Sequence, residues 1–175
     1  SNTAVTVVVK NEKEARLDRE AALDYMLTEN DTVWVLYTGG DGWHLSDYGE
    51  RLKTYAEAND PRLPHGDIDF TDTGRIQEIG GYTGKVFEIY DRRAGVTYEA
   101  VLCDNPDVFS VSMVIMLTYS NLHAEPGARR PVDKIIGDTG INYGVLKLGN
   151  LLKFTGLERG DYPDDYWDLP QNIIF

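Results

Sequence analysis

The sequence predicts a β-rich α+β domain, and three observations carry that expectation. Runs of β-branched and aromatic residues alternate with period two along much of the chain. Glycine-containing turns separate these runs, and one long apolar stretch, 106–122, has helical spacing instead. A chain of 175 residues, 42% of them hydrophobic, suits one domain with a real core. Residues 3–175 are read as that domain and Ser1-Asn2 as the remnant of a cleaved tag, so that any signal peptide would already be gone.

Val5-Thr6-Val7-Val8-Val9 opens the chain as a strand, before the polar turn Asn11-Glu12-Lys13. Residues 14–27 fit either a short amphipathic helix or a strand pair. Residues 32–38 (TVWVLYT) are apolar on both faces, which places them inside a sheet or under a covering layer. Gly39-Gly40-Asp41-Gly42 then makes a hairpin loop into Trp43-His44-Leu45. Residues 57–74 (EANDPRLPHGDIDFTDTG) are polar and contain Pro and Gly, so they are expected to form a long loop, functional or mobile.

Gly84-Lys85 raises the question of a phosphate loop. A Walker A loop requires Gly-x-x-x-x-Gly-Lys-Ser/Thr. Here Ile79 stands where the first glycine belongs, Val86 replaces the hydroxyl residue, and 85–90 reads as a strand rather than a helix. The glycines are better read as sheet punctuation. Gly80-Gly81 would end one strand and bend the chain, Tyr82 would pack at the bend, and Gly84 would let the next strand lie close to its neighbour. Phe87 and Ile89 then share a face with Lys85, and Glu88 points the other way. Arg92-Arg93-Ala94-Gly95 turns the chain into a strand over 97–103 with Tyr98, Ala100 and Leu102 on one face.

Asp104-Asn105-Pro106 reads as a helix start, a capping residue with proline at the first helical position, and Asp107 suits the positive helix end. Val108, Val111, Ile115, Tyr119 and Leu122 form one stripe, which Phe109, Met113 and Met116 widen. The helix would run to about His123, before Pro126-Gly127; a buried strand over 111–119 is the competing assignment. Residues 145–154 are expected to form one half-buried antiparallel strand, with Leu146, Leu148, Leu152 and Phe154 on one face and Lys147 and Lys153 opposite.

With 29 acids against 17 bases, a formal charge of −12, the chain would repel nucleic acid and anionic membrane surfaces. Cys103 is the single cysteine, which excludes an intrachain disulfide, and its apolar neighbours suit a buried, inert thiol. No run is apolar and long enough to span a bilayer. His44, His65 and His123 have no metal-ligand spacing. Asp67, Asp69, Thr71 and Glu78 follow a calcium-loop count, but Asp72 stands where glycine is needed. The acidic stretch 161–168 is a weak candidate for a cation. No nucleophile motif is present, so neither an enzyme nor a metal or cofactor is expected.

The unusual material is apolar: eleven tyrosines and three tryptophans, with a methionine-bearing helix. The plainer account is that they pack a sheet against its helix. The functional account is a cavity walled by one sheet face and lidded by the 106–122 helix, since methionine surfaces adapt to apolar ligands of different shape.

Three stretches resemble the lipoprotein-carrier, or LolA/LolB-like, superfamily. They are Lys13-Glu-Ala-Arg16-Leu-Asp-Arg19 with the hairpin VWVLYTGGDGWHLSD and Lys53-Thr54-Tyr55; the stretch from Thr73-Gly74 through Ile79-Gly80-Gly81-Tyr82 to Phe87; and the closing Asp164-Asp165-Tyr166-Trp167-Asp168-Leu169-Pro170. Trp167 would take the closing aromatic position, while Gln171-Asn172 departs from the glycine found there. The resemblance implies an incomplete antiparallel β-barrel with an apolar helix over its concave face, in a periplasmic or outer-membrane-associated bacterial protein.

On that basis the expected function is to hold an apolar small molecule, a lipid or the acyl chain of a lipidated protein, at roughly 0.8 kcal/mol per buried methylene. The expected cavity residues are Trp34, Leu36, Phe87, Ile89, Tyr98 and Leu102, with Phe109, Met113 and Met116 from the lid. The rival expectation is an interaction module with a filled core that contacts another envelope protein. A hydrolase would need a nucleophile–base pair that the sequence does not display. Cavity volume separates the first two, because a ligand site needs several hundred cubic ångströms.

Overall fold

A computed structural model describes residues 5–10, 14–19, 22–29, 32–39, 42–45, 68–92, 94–123, 131–168 and 173–174. The amino-terminal part is a run of antiparallel strands: β1 Val5–Val9, β2 Glu14–Arg19, β3 Ala22–Glu29, β4 Thr32–Gly39 and β5 Gly42–Leu45. Residues 14–27 therefore form the strand pair, with Glu14 opposite Leu27. Gly39 faces Gly42 across the β4–β5 hairpin, as the glycine cluster predicts. The short last strand, β11 Ile173–Ile174, adds in parallel to β5 and completes a sheet ordered β1-β2-β3-β4-β5-β11.

The second sheet holds β6 Ile68–Ile79, β7 Tyr82–Asp91, β8 Val96–Cys103, β9 Gly144–Leu148 and β10 Leu152–Lys153, ordered β10-β9-β8-β7-β6. Every pair in it is antiparallel, and the sheet is not closed. Between β8 and β9 the chain makes two helices, α1 Pro106–His123 and α2 Pro131–Thr139. The fold is α+β and rich in strand.

Gly80 and Gly81 join β6 to β7 with φ of +59° and +83°, a backbone that glycine alone adopts without strain. The expected loop over 57–74 needs correction. Residues 68–74 belong to β6, because Ile68 and Phe70 turn inward while Asp69 and Thr71 turn out, and β7 pairs with all four. Polar composition concealed that alternation; residues 57–67 lie outside the described part. The register slips between Asp72 and Ile76, where β6 carries extra residues opposite Val86. Here Gly74 has φ +70° and donates its N–H to Asp72 Oδ1, while the Thr73 hydroxyl donates to the Val86 carbonyl at 2.7 Å.

A second correction concerns 145–154, which is a hairpin rather than one strand. Gly149, at φ +50°, donates its N–H to the Glu99 carbonyl and ends β9; Leu152 then pairs back with Leu148. Within β9, Leu146 is an extra residue in the pairing with β8, since Leu102 faces Val145 and Val101 faces Lys147. Val145 and Leu148 therefore share a face, and Leu146 packs on the opposite one. Strict alternation had placed Leu146 with Leu148, and the bulge overturns it.

Helix α1 starts as the sequence requires. Asn105 Oδ1 accepts the N–H groups of Asp107 and Val108, and Pro106 occupies the first turn, where no N–H is needed. Helix α2 was not anticipated. Pro131 begins it, Val132, Ile135 and Ile136 line its inner side, and Gly140 closes it at φ +70° with an N–H to the Ile136 carbonyl.

Candidate functional site

The site residues expected from the sequence fall into three groups. Phe87, Ile89 and Leu102 lie on the face of the second sheet that α2 covers, and each is at most 2% exposed. Ala100, Val145 and Leu148 complete that face, while Val132, Ile135 and Tyr143 close over it. Phe87 sits at the centre, with edge-to-face ring contacts to Phe70 at 6.0 Å and to Tyr143 at 5.5 Å. Strand alternation brought the right residues to one face; it did not show that α2 packs onto them.

Tyr98 is half-buried at the rim of the same cluster. Burial, with the Asp91 carboxylate as a lesser cause, pushes its phenol up to about 12. Phe109 and Met113 are half-buried on α1, which runs alongside β9 and also against β1. Trp34 and Leu36 belong to β4 in the other sheet, opposite Leu27 and Tyr25. The side chains of Trp34, Leu36 and Met116 fall outside the described part, as do residues 53–55 and 169–172 of the resemblance.

Where α1 meets α2, a cleft lies between Met113, Val132, Ile136, Tyr143 and Val145, with a volume of about 10 Å³. That is room for roughly one water molecule. Ser112, 3% exposed, stands at its edge. Its Oγ accepts the Val145 N–H at 3.1 Å and donates to the Phe109 carbonyl at 3.1 Å. Gly144 lets the two backbones meet, because a Cβ there would lie 2.6 Å from Phe109 N and 2.7 Å from Val108 C. Sequence reasoning missed Ser112 and Gly144. A serine within an apolar stripe was the signal available for the first.

The opposite face of the sheet buries a second cluster: Ile79, Val86, Val101, Cys103, Val108 and Leu146, with Tyr82 and Phe154 packed at its margin. Tyr82 meets Phe154 edge to face at 5.7 Å, so it packs at the bend as expected. Gly84 brings β7 close to β8, since a Cβ there would meet Val101 at 2.8 Å and the Leu102 carbonyl at 2.9 Å. Burial raises the Cys103 thiol above its ordinary value, which makes it a poor nucleophile.

Exposed polar side chains on the second sheet are knitted into ion pairs. Arg92 binds Asp69 through two hydrogen bonds at 2.7 and 2.8 Å, Lys85 reaches Asp72 at 3.2 Å, and Arg75 pairs with Glu99. The Gly74 N–H and Lys85 hold the Asp72 carboxyl below its usual range, and Arg75 does the same for Glu99. Of the calcium-loop count, Asp69, Thr71 and Glu78 are drawn out along the extended strand β6 rather than wrapped into a loop, and Asp67 lies outside the described part. Among the described residues no group of three His, Cys, Asp or Glu side chains is placed to hold a metal ion. No helix among them is long and apolar enough to cross a membrane. Neither a family model, nor a curated protein, nor a solved structure matches the chain, and the functional reading therefore rests on the geometry above.

Proposed function

We propose that this chain is a protein-interaction module of the bacterial cell envelope, shaped as a half-open antiparallel barrel with α2, rather than the expected 106–122 helix, over its concave face and filled by its own side chains. The observation that carries the reading is the seating of Phe87, Ile89 and Leu102 beneath Val132, Ile135 and Tyr143. The cleft beside them has about 10 Å³, whereas an enclosed acyl ligand needs several hundred. With the α2-covered face of the second sheet occupied, recognition is assigned to the outer surface. The envelope location and the barrel draw their support from the resemblance to lipoprotein carriers.

A second reading keeps the carrier role. An apolar small molecule, a lipid or the acyl chain of a lipidated protein would enter between α1 and α2, and the apolar lining that Met113, Ile136 and Tyr143 give the cleft favours it. That entry requires α2 to leave Phe87. Titration with a fluorescent fatty acid, together with native mass spectrometry of protein recovered from bacterial membranes, separates the two readings. The interaction module predicts no saturable uptake and the mass of the chain without an acyl adduct. A stoichiometric acyl species would overturn it and establish the carrier.

A further inference from the structure

The chain beyond β10 crosses the second face of the sheet, where Gly80 lies close to Phe154 and Thr155, and Arg159 pairs with Asp107 at 2.6 Å. It then leads through the segment 161–168 (DYPDDYWD), which includes one 3-10 turn, Asp164–Trp167. Three aromatic rings gather there. Tyr162 lies 4.6 Å from Tyr166 and 6.5 Å from Trp167, and Tyr166 meets Trp167 edge to face at 5.1 Å. Although the rings stack on one another, Tyr162 remains 46% exposed.

A cation already rests on this cluster. Lys10 Nζ, from the end of β1, sits 5.3 Å from the Trp167 ring centroid. Asp161, Asp164, Asp165 and Asp168 are all exposed around the rings. Elsewhere acidic side chains such as Asp69, Asp72, Glu99, Asp107 and Asp138 are matched by Arg or Lys. Asp161, Asp164 and Asp165 make no such pair among the described residues. The segment thus joins ring faces that attract cations to carboxylates able to receive them.

We propose that residues 161–168 form a docking surface for a basic, extended segment of a partner protein, one lysine or arginine of which stacks on Trp167 or Tyr162 while its neighbours meet Asp161, Asp164 and Asp165. This rests on the interaction-module reading and names the chemistry of its partner. Lys10 marks the position such a cation takes, and it competes for the same ring. Charge complementarity selects a basic peptide over an apolar one, because the exposed carboxylates of Asp161, Asp164 and Asp165 flank the ring-bearing residues in the chain. The aromatic faces add what charge alone does not, a dependence on ring identity.

The test is fluorescence anisotropy of a labelled peptide of alternating lysine and glycine, titrated with the intact protein. Saturable binding is expected, with no binding to the glutamate–glycine counterpart. Trp167→Leu should weaken it about tenfold, Trp167→Phe should retain most of it, and Tyr162→Ala, a change at an exposed ring, should weaken it several-fold. Asp164→Asn with Asp165→Asn should also weaken it and flatten its salt dependence, and Lys10→Met should strengthen it. Circular dichroism melting shows whether each variant keeps its fold. Binding that ignores Trp167→Leu and Tyr162→Ala overturns the proposal. So does an equal loss from Glu88→Gln on β7, which would mark general attraction to an acidic protein.

The two proposals fail separately. A partner cross-linked elsewhere, with no binding of the lysine peptide, removes this surface and leaves the interaction module. Stoichiometric fatty-acid uptake with peptide binding intact does the reverse.

Discussion

The hydroxyl of Ser112 on α1 completes the backbone of β9: its Oγ takes the Val145 N–H at 3.1 Å, beside the bulge at Leu146. A helix side chain thereby satisfies a buried donor of a neighbouring strand. Ser112→Ala would leave the Val145 N–H without a partner and should destabilise the protein by about 1–3 kcal/mol. Urea denaturation measures the loss. Faster hydrogen exchange at Val145 than at Leu148 would locate it.

Gly144 offers a sharper test of the same junction. Adding a methyl group drives it into Val108 and Phe109 backbone atoms at 2.7 and 2.6 Å, and neither can yield without moving the helix start. Gly144→Ala should cost about 1–3 kcal/mol or more, although alanine suits a strand better than glycine does. A stabilised variant in thermal melting would refute the close approach.

The two turn glycines should differ. Gly81→Ala meets no atom and bears only the strain of φ +83°, about 1–2 kcal/mol, which asparagine should relieve in part. Gly80→Ala adds contacts with Phe154 at 2.8 Å and the Thr155 backbone at 3.1 Å, so it should be the costlier change. Equal melting temperatures for the two variants would count against the packing of the 154–156 segment on this turn.

Tyr98 gives the fold a pH dependence in alkali. Its phenol ionises near 12 in the folded protein and near 10 when exposed, so the folded state keeps a proton that the unfolded state gives up. Stability should therefore fall as pH rises from about 10 to 12. The loss attributable to Tyr98 should be on the order of 1–2 kcal/mol, reduced from the full shift because the ring is part-exposed. Denaturation across that range, compared with Tyr98→Phe, isolates it; an unchanged slope in the variant would assign the effect elsewhere.

Much of this fold is written locally in the sequence. Asn105-Pro106 announces α1, glycine pairs announce the hairpins, and Phe87, Ile89 and Leu102 fall on one face because strand periodicity puts them there. What stayed hidden depends on partners distant in the chain. Helix α2 is short, contains Gly137 and ends in threonine, so its propensity is weak; its apolar side is stabilised by burial on β7 and β8. The Leu146 bulge leaves no mark in the composition, since leucine suits either face. The same limit governed the site. Alternation identifies a wall of apolar residues, and only the position of α2 tells whether the space in front of it is filled.

The slip in β6 has a consequence for the protein's life in solution. Among the described residues β6 is an outer strand of the second sheet, twelve residues long. Such a strand invites other chains to add to it, the first step toward insoluble fibres. Gly74 at φ +70° breaks its line of donors and acceptors midway, and Asp69, Asp72 and Arg75 place charge along it. An incoming strand would lose register at Gly74 and meet fixed charge on either side, so the open edge is a poor template for self-assembly.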